Sequence, residues 1–123
     1  MTDYQAEAYL ETRARNEGIE VSDLMDMTPT SVSDNAVESA TFWQQRDYSH
    51  KQAVSLYPEL ADDPENAMPE DPSTNRARGN DTMSYSEELQ AQFDNEVLAA
   101  EIDANYTGDD YTYAFEDSPF YFF

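Results

Sequence analysis

His50 is the only histidine of the chain, with Ser49 beside it and Asp47 three residues before it. A nucleophilic mechanism needs a hydroxyl or thiol within hydrogen-bond reach of the imidazole and a carboxylate behind it. On the helix expected here, Asp47 would lie one turn from His50 while Ser49 would point to another face. The trio therefore reads as part of a half-exposed helix. Paired carboxylates recur (Asp62/Asp63, Glu87/Glu88, Asp109/Asp110), but 27 Asp and Glu in 123 residues make such pairs uninformative. None fits a calcium loop with its central glycine and terminal glutamate. The chain lacks cysteine, so thiolate metal sites and disulfides are out. No Gly-rich phosphate loop or HExxH motif occurs. The expectation is a chain that is not an enzyme, with no catalytic, cofactor-binding or metal-binding residue, and at most loosely held solution cations.

The residues with most to offer are aromatic, and their chemistry is binding. Eight rings fall between Tyr106 and Phe123: Tyr106, Tyr111, Tyr113, Phe115, Phe120, Tyr121, Phe122 and Phe123. Tyr111, Tyr113 and Phe115 alternate at a period of two, the spacing of one strand face. Such a segment can add to the edge of a partner's sheet, with its rings in alternate pockets. Phe120, Tyr121, Phe122 and Phe123 would then anchor it, since buried aromatics dominate interface energetics. Trp43 and Phe93 are expected to add contact area from the helices. The competing reading folds the terminal rings back onto the chain's own helices.

Composition explains why a partner is expected. Leu, Ile, Val and Phe number 19 of 123, while the formal charge is −21. A chain so charged and so poor in large apolar residues is expected to have little independent core and to order on meeting other subunits. Lysine is nearly absent (Lys51 alone) and the acids are spread evenly, a surface suited to concentrated salt, where repulsion is screened and carboxylates hold water. Five Arg and one Lys cannot offset those acids against a phosphate backbone, so direct nucleic-acid binding is not expected. Met1-Thr-Asp-Tyr-Gln lacks the basic and apolar regions of a secretory signal, and no apolar run reaches the ~18 residues of a bilayer span. Synthesis in a cytoplasm, with no membrane partner, is the expectation.

The elements that must present these residues are mostly α. The capping-box pattern Thr2-x-x-Gln5 and the stop at Gly18 predict a helix over 3–17. A second helix is expected from Asp34 or Asn35 to about Leu56, with a line Ala36, Ala40, Trp43, Asp47, His50, Val54 and Tyr57; Phe42 and Tyr48, off that line, would put aromatic surface on a further side. Residues 58–83, with four of the six prolines, read as an extended connector. Ser84-x-x-Glu87 starts a third helix to 105 on which Leu89, Phe93, Val97 and Ala100 recur. The expected organisation is a helical region 1–57, a linker 58–83, a helix 84–105 and an aromatic arm 106–123, extended or strand-adding.

Two functions fit. The first is a non-enzymatic structural or accessory protein of a larger assembly, a virus particle being one such assembly, docked on neighbouring subunits through its aromatic segments. The alternative is an acidic DNA-mimic inhibitor of a nucleic-acid-binding protein, which would need carboxylates at phosphate-like spacing on one face.

Overall fold

The computed structural model describes residues 1–106. Helix α1 (Asp3–Glu17) starts and stops where its sequence says: Thr2 and Gln5 complete a reciprocal capping box, and Gly18 closes the helix at φ +74°. A side chain at Gly18 would be doubly opposed, by that left-handed backbone and by Asp62 Oδ1, 2.6 Å from where a Cβ would stand. Three short helices follow: α2 (Val21–Asp26), α3 (Thr30–Ser33) and α4 (Ala36–Trp43). Asn35 caps α4 by accepting from the Glu38 amide at 3.0 Å.

The second helix is much shorter than its periodicity suggested. It ends at Trp43, and Asp47–His50 form a strand, β1. Its partner, β2 (Ala67–Glu70), and the helix α5 (Pro72–Arg78) occupy the segment read as an extended connector. The two strands are antiparallel, with Asp47 opposite Glu70 and Tyr48 opposite Pro69. In a two-stranded ribbon each strand keeps a free edge, where a proline without an N–H can stand. Between the strands the chain makes a detour through 3-10 turns at Pro58–Leu60 and Pro64–Asn66. Asn66 closes that detour, accepting from the Gln52 amide at 3.0 Å and donating to the Gln52 carbonyl at 3.1 Å. The last helix, α6 (Tyr85–Asn105), begins at a second capping box formed by Ser84 and Glu87.

The molecule does build a core, contrary to the composition-based expectation. Ala6, Leu10 and Ala14 of α1 lie in it with Leu24, Val32, Val37, Ala40, Phe42, Trp43, Tyr48, Ala67, Leu98, Ala99 and Ile102. Alanine contributes many of these positions, so counting large aliphatics understated what could be buried. Small side chains let helices approach closely and leave room for two large rings. Helix α4 sits at the centre, buried from Val37 through Trp43. Its polar side chains are met locally: Ser39 Oγ donates to the Val32 carbonyl (2.7 Å) and Thr41 Oγ1 to the Val37 carbonyl (2.8 Å). A smaller cluster, Met68, Met83 and Ala91, lies under the start of α6. Among the described residues no helix is long and apolar enough to cross a membrane.

Phe42 and Tyr48 are therefore interior residues, not added surface. Phe42 meets Trp43 edge-on with ring centroids 5.7 Å apart, and Tyr48 lies 6.3 Å from Trp43. Burial pushes the Tyr48 phenol up to about 12, helped by the nearby carboxylates Glu17, Asp23, Asp63 and Asp62.

Glu38 is the acid most displaced from its ordinary behaviour. It is 4% exposed on the central helix, and its Oε1 has no hydrogen-bond partner among the described residues. Burial first, then Asp103 of α6 and Asp34, push its carboxyl up from 4.5 to about 8. The folded state thus holds a proton that the unfolded chain has released between pH 4.5 and 8. The resulting stabilisation is complete below about 4.5 and is lost as pH rises through about 8. Glu38→Gln should cancel that dependence. Subtracting its unfolding free energy from that of the parent across pH 4–9 should give a falling curve, of order a few kcal/mol in height; a flat difference would refute the buried, protonated carboxyl.

Candidate docking face

Helix α6 is held on the body by polar contacts from one side. Asn95, 4% exposed, donates through Nδ2 to the Pro69 carbonyl at 2.7 Å and accepts from Arg46 at 3.1 Å. Arg46 also pairs with Asp94 at 2.9 Å, and Lys51 pairs with Glu88 at 2.9 Å. Arg78 reaches Glu87 at 3.5 Å. With Ala91, Leu98, Ala99 and Ile102 buried beside Asn95, these contacts fix the rotation of the helix about its axis.

That rotation turns a second apolar row outward. Tyr85, Leu89, Phe93 and Val97 stand four residues apart and are 75, 46, 65 and 42% exposed. Residues at i and i+4 stack along one side of a helix, so the four form a continuous ladder, which Ala100 continues on the exposed side. From Tyr85 to Ala100 the rise is about 22 Å. Isolated exposed apolar side chains are ordinary, whereas a contiguous exposed row marks an interaction site. The row of Leu89, Phe93, Val97 and Ala100 expected from the sequence thus exists, but it faces away from the body; the inward face is the other set, led by Leu98 and Ile102. Sequence reasoning missed Tyr85. Its signal was present as the fourth member of the same four-residue spacing.

The other expected contact residues separate clearly. Trp43 offers no surface: it is 0% exposed, donates from Nε1 to Thr28 Oγ1 at 2.9 Å, and is covered by the Arg13 guanidinium, 5.4 Å from its ring centroid. Its burial follows from its place at the end of the central helix, where every side is occupied. Arg13 belongs to α1, and a base near the end of a helix ordinarily serves the carbonyls of that helix. Instead it donates to the carbonyls of Trp43 (2.7 Å) and Arg46 (2.8 Å), closing the end of α4. Phe93 is on the ladder. Tyr111, Tyr113, Phe115, Phe120, Tyr121, Phe122 and Phe123 lie outside the described residues.

The polar clusters are engaged internally. His50 stands on β1, not on a helix, with its ring 5.5 Å from that of Tyr48. Asp47 accepts instead from Asn75 (3.0 Å) and Arg76 (3.2 Å). Ser49, wholly buried, donates to Glu70 or Asn75 and accepts from Arg78. Arg78 holds both oxygens of Glu70, with Nη1 2.9 Å from Oε2, and this pairing holds the guanidinium above its usual range. A cavity of about 320 Å³ between β2, α5 and α6 is lined by Glu70, Asp71, Glu87 and Asp94 with Thr74, Gln90 and Ala91. Its carboxylates are already partnered. Hydrogen bonds from Ser73 and Thr74 hold Asp71 below the usual carboxylate range, and those from Ser84 do the same for Glu87. Among the described residues no three His, Cys, Asp or Glu are grouped to hold a metal ion.

No family model, curated protein or solved structure matches the chain.

Proposed function

We propose that the chain is a non-enzymatic structural or accessory protein that docks on other subunits of a larger assembly, with the outer face of α6 as its contact surface. The observation that carries this reading is the ladder Tyr85, Leu89, Phe93 and Val97, four exposed apolar residues in register on a strongly acidic molecule. The aromatic segment beyond residue 106 supplies a second contact in the same proposal, and the acid excess keeps the rest of the surface hydrated in concentrated salt. Trp43 has no part in docking.

A photoreactive phenylalanine analogue at position 93, expressed in the native source, tests this reading. It should trap one discrete protein adduct, while the same group at the exposed Tyr4 should not. Equal labelling from both positions, or none from position 93, would defeat it. The double substitution Leu89→Ser/Phe93→Ser should remove the docked complex at little cost to the fold. Substitutions at exposed positions usually change stability by less than about 0.5 kcal/mol each. A large loss of thermal stability in the double variant would instead make the ladder part of the fold. The DNA-mimic alternative meets the same test: a complex indifferent to Leu89 and Phe93 but dissolved by moderate salt would favour it.

A further inference from the structure

Granting that α6 docks, its charges say what it docks against. From Tyr85 to Asn105 the helix carries six acids, Glu87, Glu88, Asp94, Glu96, Glu101 and Asp103, and no basic residue. Glu87, Glu88 and Asp94 are met by Arg78, Lys51 and Arg46 from the body. Glu96 and Glu101 are exposed and have no basic partner among the described residues. Glu96 falls within the ladder's own arc, and Glu101 lies along its margin one turn past Val97. The docking face is thus an apolar row edged by acids.

Two occupants from the chain itself fit poorly. A second copy would bring the same acids against these, and it has few bases to offer. Of its six bases, Arg13, Arg46, Lys51, Arg76 and Arg78 make contacts within the molecule, which leaves a single exposed one, Arg15, to set against the acids of a second copy. The segment 107–123 carries Asp109, Asp110, Glu116 and Asp117 and no base. Tyr106, moreover, packs on the main core, on the side of α6 away from the ladder.

We infer that the outer face of α6 receives an amphipathic helix of another protein whose apolar stripe is flanked by Lys or Arg. The ladder's length of about 22 Å matches some four turns of such a helix. Side chains at four-residue spacing form the ridges that seat in a partner helix's grooves. The apolar centre provides affinity, and the opposed charges select the partner and exclude further copies of this chain.

Three synthetic helical peptides test this on the full chain. One carries a leucine stripe with lysine flanks, the second the same stripe with glutamate flanks, and the third lysine flanks with serine in place of leucine. The first should bind, and Leu89→Ser/Phe93→Ser should weaken it at least tenfold at moderate salt. The third controls for net charge: any binding it shows should be unchanged by that double substitution. The second should bind only after Glu96→Lys/Glu101→Lys. Ladder-dependent binding of the glutamate-flanked peptide to the parent would overturn the basic rim while leaving docking intact. Loss of the position-93 adduct described above would remove docking itself. A position-93 crosslink to a second copy, or to residues 107–123 of the same chain, would overturn the inference by naming a different occupant.

Discussion

Trp43→Ala lowers the free energy of unfolding by about 3–5 kcal/mol, the cost of removing a large, fully buried aromatic side chain. Several losses converge on this position. The ring contacts Phe42 and Tyr48, carries the Arg13 guanidinium over its face, and satisfies Thr28 through its indole N–H. Thr28 passes the connection on by donating to the Leu24 carbonyl at 2.8 Å. The substitution thus opens a cavity where α1, α2, α4 and β1 meet. For a chain of this size each kcal/mol corresponds to several degrees in melting temperature, so thermal unfolding followed by circular dichroism should show a drop of well over 10 °C. Trp43→Phe should recover part of the loss, because it restores volume without the N–H. A Trp43→Ala protein that melts with the parent would mean that the tryptophan is not the centre of the fold.

Arg78→Ala is expected to be comparably damaging, for an electrostatic reason. The guanidinium and the Glu70 carboxylate are 5 and 2% exposed as side chains, so each depends on the other in place of water. Removing one member of a buried pair leaves an uncompensated charge at a cost of about 3–5 kcal/mol. Ser49 and Asn75 belong to the same network, which fastens α5 to the ribbon. Replacing both charges with apolar residues of similar size, Glu70→Leu/Arg78→Met, should return much of the loss, since such replacement is often neutral or stabilising. Denaturant unfolding of the single and double variants decides the point. If Arg78→Ala costs no more than a surface substitution, the pair is solvated and does not hold α5.

The sequence was most legible where structure is local. Both capping boxes and the Gly18 stop were readable because each is a contact between residues three or four apart, set by a few side chains. The ribbon was not readable. Ala67-Met-Pro-Glu70 has the composition of a linker, and its burial depends on β1 and α6, neither of them next to it along the chain. Asp47 and His50 continued a helical line plausibly enough to conceal the strand, and nothing in the polar run Gln44-Gln45-Arg46 announced that α4 would stop. Helix α6 was legible in its extent but not in its rotation. Its existence was plain and Phe93 was expected to offer contact area, but the helix has two apolar faces, and spacing alone does not say which one meets the body. The smaller face won because Asn95 could bond the Pro69 carbonyl and because Ala91 and Ala99 permit a close approach.

By itself, the order of residues determined that the chain would be mainly helical, where its first and last helices would begin, and that its surface would be strongly acidic. Tertiary structure decided which aromatic residues became interior and which stayed outside. Trp43 and Phe93 look alike as candidates for contact because both are large, apolar and on helices. One lies at the crowded end of a helix enclosed on every side, the other on the outer side of a helix pinned from beneath. Burial belongs to the packed neighbourhood, and that neighbourhood is assembled from segments far apart along the chain.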